Sequence, residues 1–321
     1  MENLLTGQEP AIKTLELRKI YKSQKNDSIE ALKGLDIEVP RGSFFGLLGP
    51  NGAGKSTFIN ILAGLVNRTS GQAKICGYYT IKDMRLARMS IGVVPQELVL
   101  DPFFTAREAL DVQAGYYGIK DSNKKTDAIL EAVGLSDQAD AYARSLSGGM
   151  RRRLMVAKAL VHSPPVVILD EPTAGVDVEL RQQLWAYLRE LNESGTTIVL
   201  TTHYLEEAEA LCDKIAIIYE GSLVACDKTS ALLAPLDKKE IIITTEDALD
   251  VVPKELNNLD CKILSPHELL ICYKSRNFNI SKLLDKLSDG GINIIDITTK
   301  EADLEDAFLH LTSSAKYNMS D

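Results

Sequence analysis

Residues 49–57 read Gly49-Pro50-Asn51-Gly52-Ala53-Gly54-Lys55-Ser56-Thr57, and an apolar stretch from Phe44 to Leu48 comes directly before them. The apolar stretch predicts a buried strand, and the residues from Lys55 onward are typical of a helix. Glycines in the loop let backbone N–H groups turn inward, and the helix N-terminus adds partial positive charge. The sequence therefore predicts an α/β fold of the P-loop NTPase type that holds a nucleoside triphosphate.

Three side chains at the end of this loop have expected tasks. Lys55 is expected to reach the β- and γ-phosphate oxygens, Ser56 to place its hydroxyl on Mg²⁺, and Thr57 to bond the α-phosphate. A glycine turn without a ligand is the alternative, and the strand–loop–helix context disfavours it.

Composition limits the class of protein. With 321 residues and 45% hydrophobic content, the chain can bury one large core and a second small one. No N-terminal signal pattern is visible, and the longest apolar runs, such as Val166 to Leu169, are far shorter than a membrane span. We therefore expect a protein that is soluble on its own, with two domains.

The net charge limits the kinds of binding partner, and the cysteines indicate the redox compartment. The net charge of −9 argues against non-specific nucleic-acid binding, which needs a surplus of Lys and Arg on one face. Five scattered cysteines without a CxxC spacing, and four histidines that form no cluster with them, predict reduced thiols in a cytoplasmic protein without a structural metal.

Residues 11–48 alternate apolar and polar side chains in short stretches and predict a β-rich subdomain ahead of the loop. Tyr21 lies at a strand end there, where its ring could stack on an adenine base. An ordinary half-buried strand tyrosine is an equal alternative on this pattern alone.

Polar side chains follow three further predicted strands, at the points where ligands bind in α/β sheets. Gln96 follows Ile91 to Pro95, Asp170 and Glu171 follow Val166 to Leu169, and His203 follows Thr197 to Thr201. We expect these residues at one edge of a central parallel sheet.

Each of these side chains suits a step of phosphate chemistry. Asp170 suits a Mg²⁺ shell through water, and Gln96 offers an amide oxygen to Mg²⁺ and an amide N–H to a water. Glu171 can accept a hydrogen bond from an attacking water, as general base or as its positioner. His203 could reach a γ-phosphate.

Residues of about 97–160 read as a helical insertion, with helical patterns at Ala106 to Tyr116 and Lys124 to Val133. Near its end, Ser147 is a good N-cap for Gly148 and Gly149, which would form a second anion site or a plain turn at a helix start. The run Arg151-Arg152-Arg153 is expected to be a solvated helix face, with phosphate or acidic-loop contacts as the second interpretation.

Taken together, these motifs resemble, in order, the nucleotide-binding subunit of ABC transporters over residues 11 to about 230. The resemblance implies ATP and Mg²⁺ as ligands and Tyr21 as the adenine-stacking aromatic. It also makes Gln96 the Q-loop glutamine, Glu171 the catalytic glutamate beside the Mg²⁺-binding Asp170, and His203 the switch histidine. Ala174 to Asp177 would be the D-loop.

In that family two subunits close head to tail over two ATP molecules. The resemblance therefore implies a homodimer in which Ser147, Gly148 and Gly149 of one copy face the γ-phosphate held by the other. Met150 departs from the family, where most members have glutamine, and this leaves the strength of coupling open.

Local sequence resembles ATPases of ABC-2-type exporters, whose membrane-spanning subunit is usually a separate polypeptide. This implies a multi-span permease partner, contacted through Gln96 to Gly118, and a peripheral location on the inner face of the cell membrane. The alternative is a soluble ABC-type ATPase that acts on ribosomes or DNA without a membrane partner.

We expect the ATP-binding domain to cover residues 11–235 and a small α/β domain to cover 236–321. The second domain resembles the C-terminal extension of this exporter subclass and shows no catalytic constellation. Stabilising the dimer is its preferred role, and regulation is the alternative.

Overall fold

The fold is described by a computed structural model. It describes residues 9–22, 28–173, 176, 178–234, 238–249, 251–253, 256, 259–274, 279–301 and 303–318. The chain divides into two units, residues 1–229 and 230–321, whereas the sequence placed the boundary after residue 235.

The strands of the first unit form two sheets. In chain order they are β1 (Ile12–Lys22), β2 (Ser28–Leu35), β3 (Glu38–Val39), β4 (Phe44–Leu48), β5 (Ser70–Ile75), β6 (Tyr78–Tyr79), β7 (Ile91–Val94), β8 (Val166–Asp170), β9 (Thr197–Thr201), β10 (Lys214–Tyr219) and β11 (Ser222–Lys228).

The helices of the first unit lie between these strands, and the last one crosses into the second unit. They are α1 (Lys55–Leu62), α2 (Met84–Met89), α3 (Ala106–Tyr116), α4 (Thr126–Ala132), α5 (Gly148–Leu160), α6 (Val178–Glu193), α7 (Leu205–Leu211) and α8 (Thr229–Leu233). Within the described ranges, no helix has both the length and the apolar character needed to cross a bilayer.

The larger sheet has the strand order β11-β10-β4-β9-β8-β7. All neighbours pair in parallel except β10 and β11, which are antiparallel. Every residue of β4 and β9 is buried, as expected for central parallel strands covered on both faces. The parallel core is therefore the one predicted, and the carboxyl ends of β4, β9, β8 and β7 lie side by side.

The smaller sheet is antiparallel, with the order β2-β1-β5-β6 and β3 beside β1. Its apolar side chains join those of the larger sheet in one core, in which Ile12 and Leu17 pack in the same cluster as Phe45, Ile168 and Val199. The β-rich subdomain thus shares its core with the phosphate-loop sheet.

The helical segment has a core of its own, which includes Leu110, Leu130 and Leu154. Helix α3 spans the predicted residues and begins at a capping box between Thr105 and Glu108. Helix α1 begins at Lys55, as expected, and ends at Leu62. The left-handed backbone of Gly64, with φ of 69°, stops it.

The described residues of the second unit contain most of α8, an antiparallel sheet, and the helices α9 (Ile280–Asp289) and α10 (Leu304–Asn318). Its sheet has the order β13-β14-β12-β15, and its core includes Ile241, Ile271 and Leu287. The strands are β12 (Lys238–Thr245), β13 (Asp260–Ser265), β14 (Glu268–Lys274) and β15 (Ile294–Glu301).

Candidate active site

The phosphate-binding loop connects the buried strand β4 to helix α1. Gly54, at the N-cap of α1, has φ of 108°, and a Cβ there would lie 2.6 Å from the carbonyl oxygen of Ala31. A Cβ on Gly49 would lie 2.3 Å from the carbonyl oxygen of Ile218. Left-handed backbone and contacts this close exclude a side chain. Contacts within this chain therefore require glycine at these two positions of the loop.

Lys55, the first residue of α1, turns its ammonium group toward the loop. The residue is only 7% exposed, and Nζ donates to the carbonyl oxygens of Gly49 at 2.7 Å and Pro50 at 3.2 Å. Burial lowers the pKa of Lys55, and the negative charges of Glu171 and Asp170 act in the opposite direction. The ammonium group thus lies inside the loop, where phosphate oxygens would bind.

The acidic residues lie at the end of β8 and are fixed by the neighbouring strand β9. Thr201 Oγ1 donates to Asp170 Oδ1 at 2.5 Å. The backbone N–H of Glu171 donates to the carbonyl oxygen of Thr201 at 3.0 Å. Glu171 has φ of 49°, a left-handed conformation that is rare outside glycine. This conformation sets the direction in which its side chain leaves the sheet.

The Glu171 carboxylate lies between residues from the two flanking strand ends. Gln96 Nε2, beyond β7, donates to Glu171 Oε2 at 2.8 Å. His203 Nδ1, beyond β9, lies 3.3 Å from the same oxygen, close enough to pair when the imidazole is protonated. The Glu171 side chain is 11% exposed. The structure therefore brings Gln96, Glu171 and His203 into direct contact.

A cavity of about 170 Å³ connects the phosphate loop to these carboxylates. Its lining includes Gln96, Asp170 and Glu171 together with Ala31 and residues 51–57 of the loop. Ser56, Asp170 and the amide of Gln96 thus offer oxygen atoms to one space, which suits Mg²⁺, because this ion takes one or two protein ligands and completes its shell with phosphate and water. Across the described residues, no cluster of three or more His, Cys, Asp and Glu could hold a metal ion by itself.

Tyr21 lies near the end of β1, on the sheet that flanks this cavity. It pairs with Ile29 of β2, two residues before the cavity-lining Ala31. The residue is 40% exposed, and Lys19 Nζ lies 4.7 Å from the centroid of its ring. An exposed ring at this edge is compatible with stacking on a base.

The second glycine turn opens helix α5. Ser147 caps the helix, and its Oγ accepts a hydrogen bond from the backbone N–H of Met150 at 3.2 Å. A Cβ added at Gly148 would meet nothing within 4 Å. Neither residue lines the cavity of the phosphate loop. The structure places this turn apart from the nucleotide site of the same chain.

Asp177, the D-loop residue expected from the family resemblance, lies outside the described residues together with Ala174 and Gly175. The arginine run was expected to be a solvated face, and this is wrong for Arg152, which is only 4% exposed. Helix α5 begins at Gly148, directly after the expected N-cap Ser147, and it turns Arg152 toward the sheet.

Buried partners of the site were missed in the sequence. Thr201 was seen only as a strand residue, although its position beside Asp170 in the parallel register brings its hydroxyl to the carboxylate. Glu207 of α7 is fully buried and accepts hydrogen bonds from Thr173 Oγ1 at 3.1 Å and Trp185 Nε1 at 2.8 Å. It connects the loop after Glu171 to the helix after His203.

The chain is similar to proteins of one family. The ABC transporter family matches residues 32–174. Nod factor export ATP-binding protein I of Ralstonia nicotianae is 38% identical over 309 residues, which cover 95% of each chain. The linearmycin resistance ATP-binding protein of Bacillus subtilis is 37% identical over 289 residues, which cover 88% of this chain and 93% of the relative.

Solved structures similar to this chain include ATP-binding subunits of the same family. One, an ATP-binding subunit of an ABC transporter, has a TM-score of 0.64 at 28% identity and covers 70% of this chain and 93% of its own. Another is a dimeric ATP-binding cassette in a post-hydrolysis state bound to ADP and Pi, with a TM-score of 0.61 at 28% identity. It covers 68% of this chain and 98% of its own.

Proposed function

This chain is an ATPase of the ABC transporter family, and on that premise we propose that it energises an ABC-2-type exporter as one half of a head-to-tail homodimer. ATP binds with its phosphates in residues 49–57 and with its adenine on Tyr21. Ser56 and Gln96 would bind Mg²⁺ directly and Asp170 through a water, and the bound ion would neutralise charge on the phosphates.

The observation that carries the hydrolytic role is the position of the Glu171 carboxylate. It borders the phosphate cavity, and Gln96 and His203 hold one of its oxygens. A carboxylate fixed in this way can accept a hydrogen bond from a water aimed at the γ-phosphate, as general base or as positioner. His203 lies beside it, where its imidazole can donate to the γ-phosphate.

The glycine turn formed by Ser147, Gly148 and Gly149, which we call the signature turn, supports the dimer. Ser147 and Gly148 start a helix of the kind that binds anions, yet they lie outside the cavity of their own chain. In the proposed dimer they contact the γ-phosphate held by the other copy, and Asp177 lies in the same interface. The dimeric cassette with ADP and Pi has this family's fold, which supports a pair of cassettes as the assembly.

The membrane partner is proposed from names and from an exposed surface. Both curated relatives carry the name ATP-binding protein, one for Nod factor export and one for linearmycin resistance. Between Gln96 and Gly118, Val99 is 64% exposed, Phe103 is 71% exposed and Tyr116 is 81% exposed. Large exposed apolar patches mark protein contacts, and these three side chains are our candidates for such a patch. We assign this contact to a separate multi-span permease that holds the chain at the inner face of the membrane.

The two predicted domains are assigned different roles in the proposed exporter ATPase. We assign residues 11–235 to ATP binding and residues 236–321 to stabilisation of the dimer, because the small sheet with α9 and α10 has its own core. A regulatory role is the alternative.

The test is affinity purification of tagged Glu171→Gln chain in mild detergent with ATP and Mg²⁺, followed by mass spectrometry. The proposal predicts a near-stoichiometric multi-span membrane protein, and this partner should also bind the matched Lys55→Ala chain because docking does not need nucleotide. Ribosomal or DNA-repair proteins in its place would contradict the transport role and leave the ATPase role intact.

A further inference from the structure

We propose that Arg152 is a positioning residue for hydrolysis, which holds Glu171 and Gln96 in register through their backbones. Its guanidinium group donates from Nη1 to the carbonyl oxygen of Pro95 at 2.9 Å and from Nη2 to the carbonyl oxygen of Glu171 at 3.1 Å. The side chain is almost fully buried. One planar group therefore connects the loops after β7 and β8.

The contact with Glu171 supports an unfavourable backbone conformation. Glu171 has φ of 49°, a left-handed conformation that is unfavourable for a residue with a side chain. Its N–H is fixed by Thr201 on one side, and its carbonyl oxygen is fixed by Arg152 on the other. Hydrogen bonds from a charged donor are stronger than neutral ones. Arg152 thus helps to keep the conformation that aims the Glu171 carboxylate.

The contact with Pro95 fixes the partner of that carboxylate. Pro95 directly precedes Gln96, whose amide donates to Glu171 Oε2. Arg152 therefore holds both ends of the Gln96–Glu171 hydrogen bond from the backbone side. A loss of either contact would loosen the place in which the attacking water is held, and a displacement of about 1 Å at such a place can cost about 100-fold in rate.

Neighbouring arginines on α5 provide a comparison. Arg153 Nη1 donates to the carbonyl oxygens of Val133 and Gly134, at the end of α4. Among the described residues, Arg151 makes no hydrogen bond to the loops that carry Gln96 and Glu171, so it serves as a matched control. Burial lowers the pKa of Arg152, and Asp170 and Glu171 oppose that effect. An arginine keeps its charge in proteins, so the group donates at all pH values at which the protein folds.

The inference rests on the proposed role of Glu171, and a double-mutant cycle tests the two separately. Arg152→Lys keeps the charge and loses the fork that spans two carbonyls. We expect it to lower kcat for ATP about 10- to 100-fold, with the Kd for ATP changed less than about 3-fold. Arg151→Lys should keep kcat within about 2-fold of the wild-type value.

The cycle is completed in the Glu171→Gln background. Because Arg152 acts through Glu171, Arg152→Lys should change the residual kcat there by less than about 2-fold. Effects that multiply in the double variant would overturn the inference, and so would an unchanged kcat in Arg152→Lys alone. If Glu171→Gln itself hydrolyses ATP normally, the proposed function fails instead. Arg152→Gln, which keeps one donor group, provides the same cycle should the lysine variant not fold.

Discussion

The phosphate loop and the signature turn are both glycine-containing turns at the start of a helix, but they need glycine for different reasons. At Gly54 the backbone is left-handed, and a Cβ would lie 2.6 Å from a neighbouring carbonyl oxygen. At Gly148 φ is not positive and a Cβ would meet nothing within 4 Å. The fold of this chain requires the first glycine. We propose that the second is needed because the bound phosphate of another copy approaches it in the dimer.

This difference predicts that substitutions in the two turns separate stability from activity. A change in the phosphate loop should already lower the folding stability or the nucleotide affinity of the single chain. A change at Gly148 in the signature turn should leave the single chain intact and affect only the assembled dimer.

The largest effect is expected at Lys55. Lys55→Ala removes a buried ammonium group from the loop, so we expect the affinity for ATP to fall more than about 100-fold, or about 2.7 kcal/mol, because several charge-assisted hydrogen bonds to phosphate are lost. Isothermal titration calorimetry measures it, with Lys120→Ala, an exposed lysine of the helical segment, as control. A normal affinity for ATP in Lys55→Ala would contradict the assignment of residues 49–57 as the phosphate-binding loop.

Gly148→Ala is the next test. The added methyl group has free space in this chain, and alanine is favoured over glycine in helices, so the free energy of unfolding should stay unchanged or rise by up to about 1 kcal/mol. In the dimer the methyl group would crowd the bound phosphate, so kcat should fall at least about 10-fold. Thermal melting and steady-state ATPase assays measure the two quantities. A variant with full activity would mean that nothing approaches this glycine.

Gly54→Ala should give the opposite result. Left-handed backbone alone costs about 1–2 kcal/mol, and the contact with Ala31 adds to that loss. Urea denaturation should therefore show a lower free energy of unfolding. The control is Gly52→Ala, where φ is 82° but a Cβ has open space, so only the backbone cost of about 1–2 kcal/mol applies. Equal losses in the two variants would contradict the packing argument.

The smallest effect concerns the cap of α5. Ser147→Ala removes the hydrogen bond to Met150 and should cost about 1 kcal/mol of folding free energy. Ser147→Asp keeps a good N-cap, so its stability should stay within about 0.5 kcal/mol of the wild-type value. Its negative charge would repel a phosphate at this turn. If Ser147→Asp still closes a dimer on ATP, the turn does not contact phosphate.

Much of the site was predictable because it follows from strand order. Gln96, Asp170, Glu171 and His203 each follow a buried parallel strand, and such strands end at one edge of a sheet. That rule alone is enough to place these four side chains near one another.

What was not predictable depends on packing between elements. Three consecutive arginines look like a solvated face, and only the packing of α5 in the folded chain brings Arg152 to the carbonyl oxygens of Pro95 and Glu171. The left-handed backbone of Glu171 has no signal in its residue type. The pairing of Thr201 with Asp170 needs the strand register, and the sequence alone does not supply it.

The most direct test mixes two defective chains, both with Glu171→Gln to prevent hydrolysis. One adds Lys55→Ala and keeps its signature turn, and the other adds Ser147→Asp and keeps its phosphate loop. Size-exclusion chromatography with light scattering measures the mass of each sample with ATP and Mg²⁺. If two chains complete each site, either variant alone stays monomeric, and the mixture forms a dimer that retains one ATP. If the mixture stays monomeric while the Glu171→Gln parent dimerises, the account of a site shared between copies is wrong.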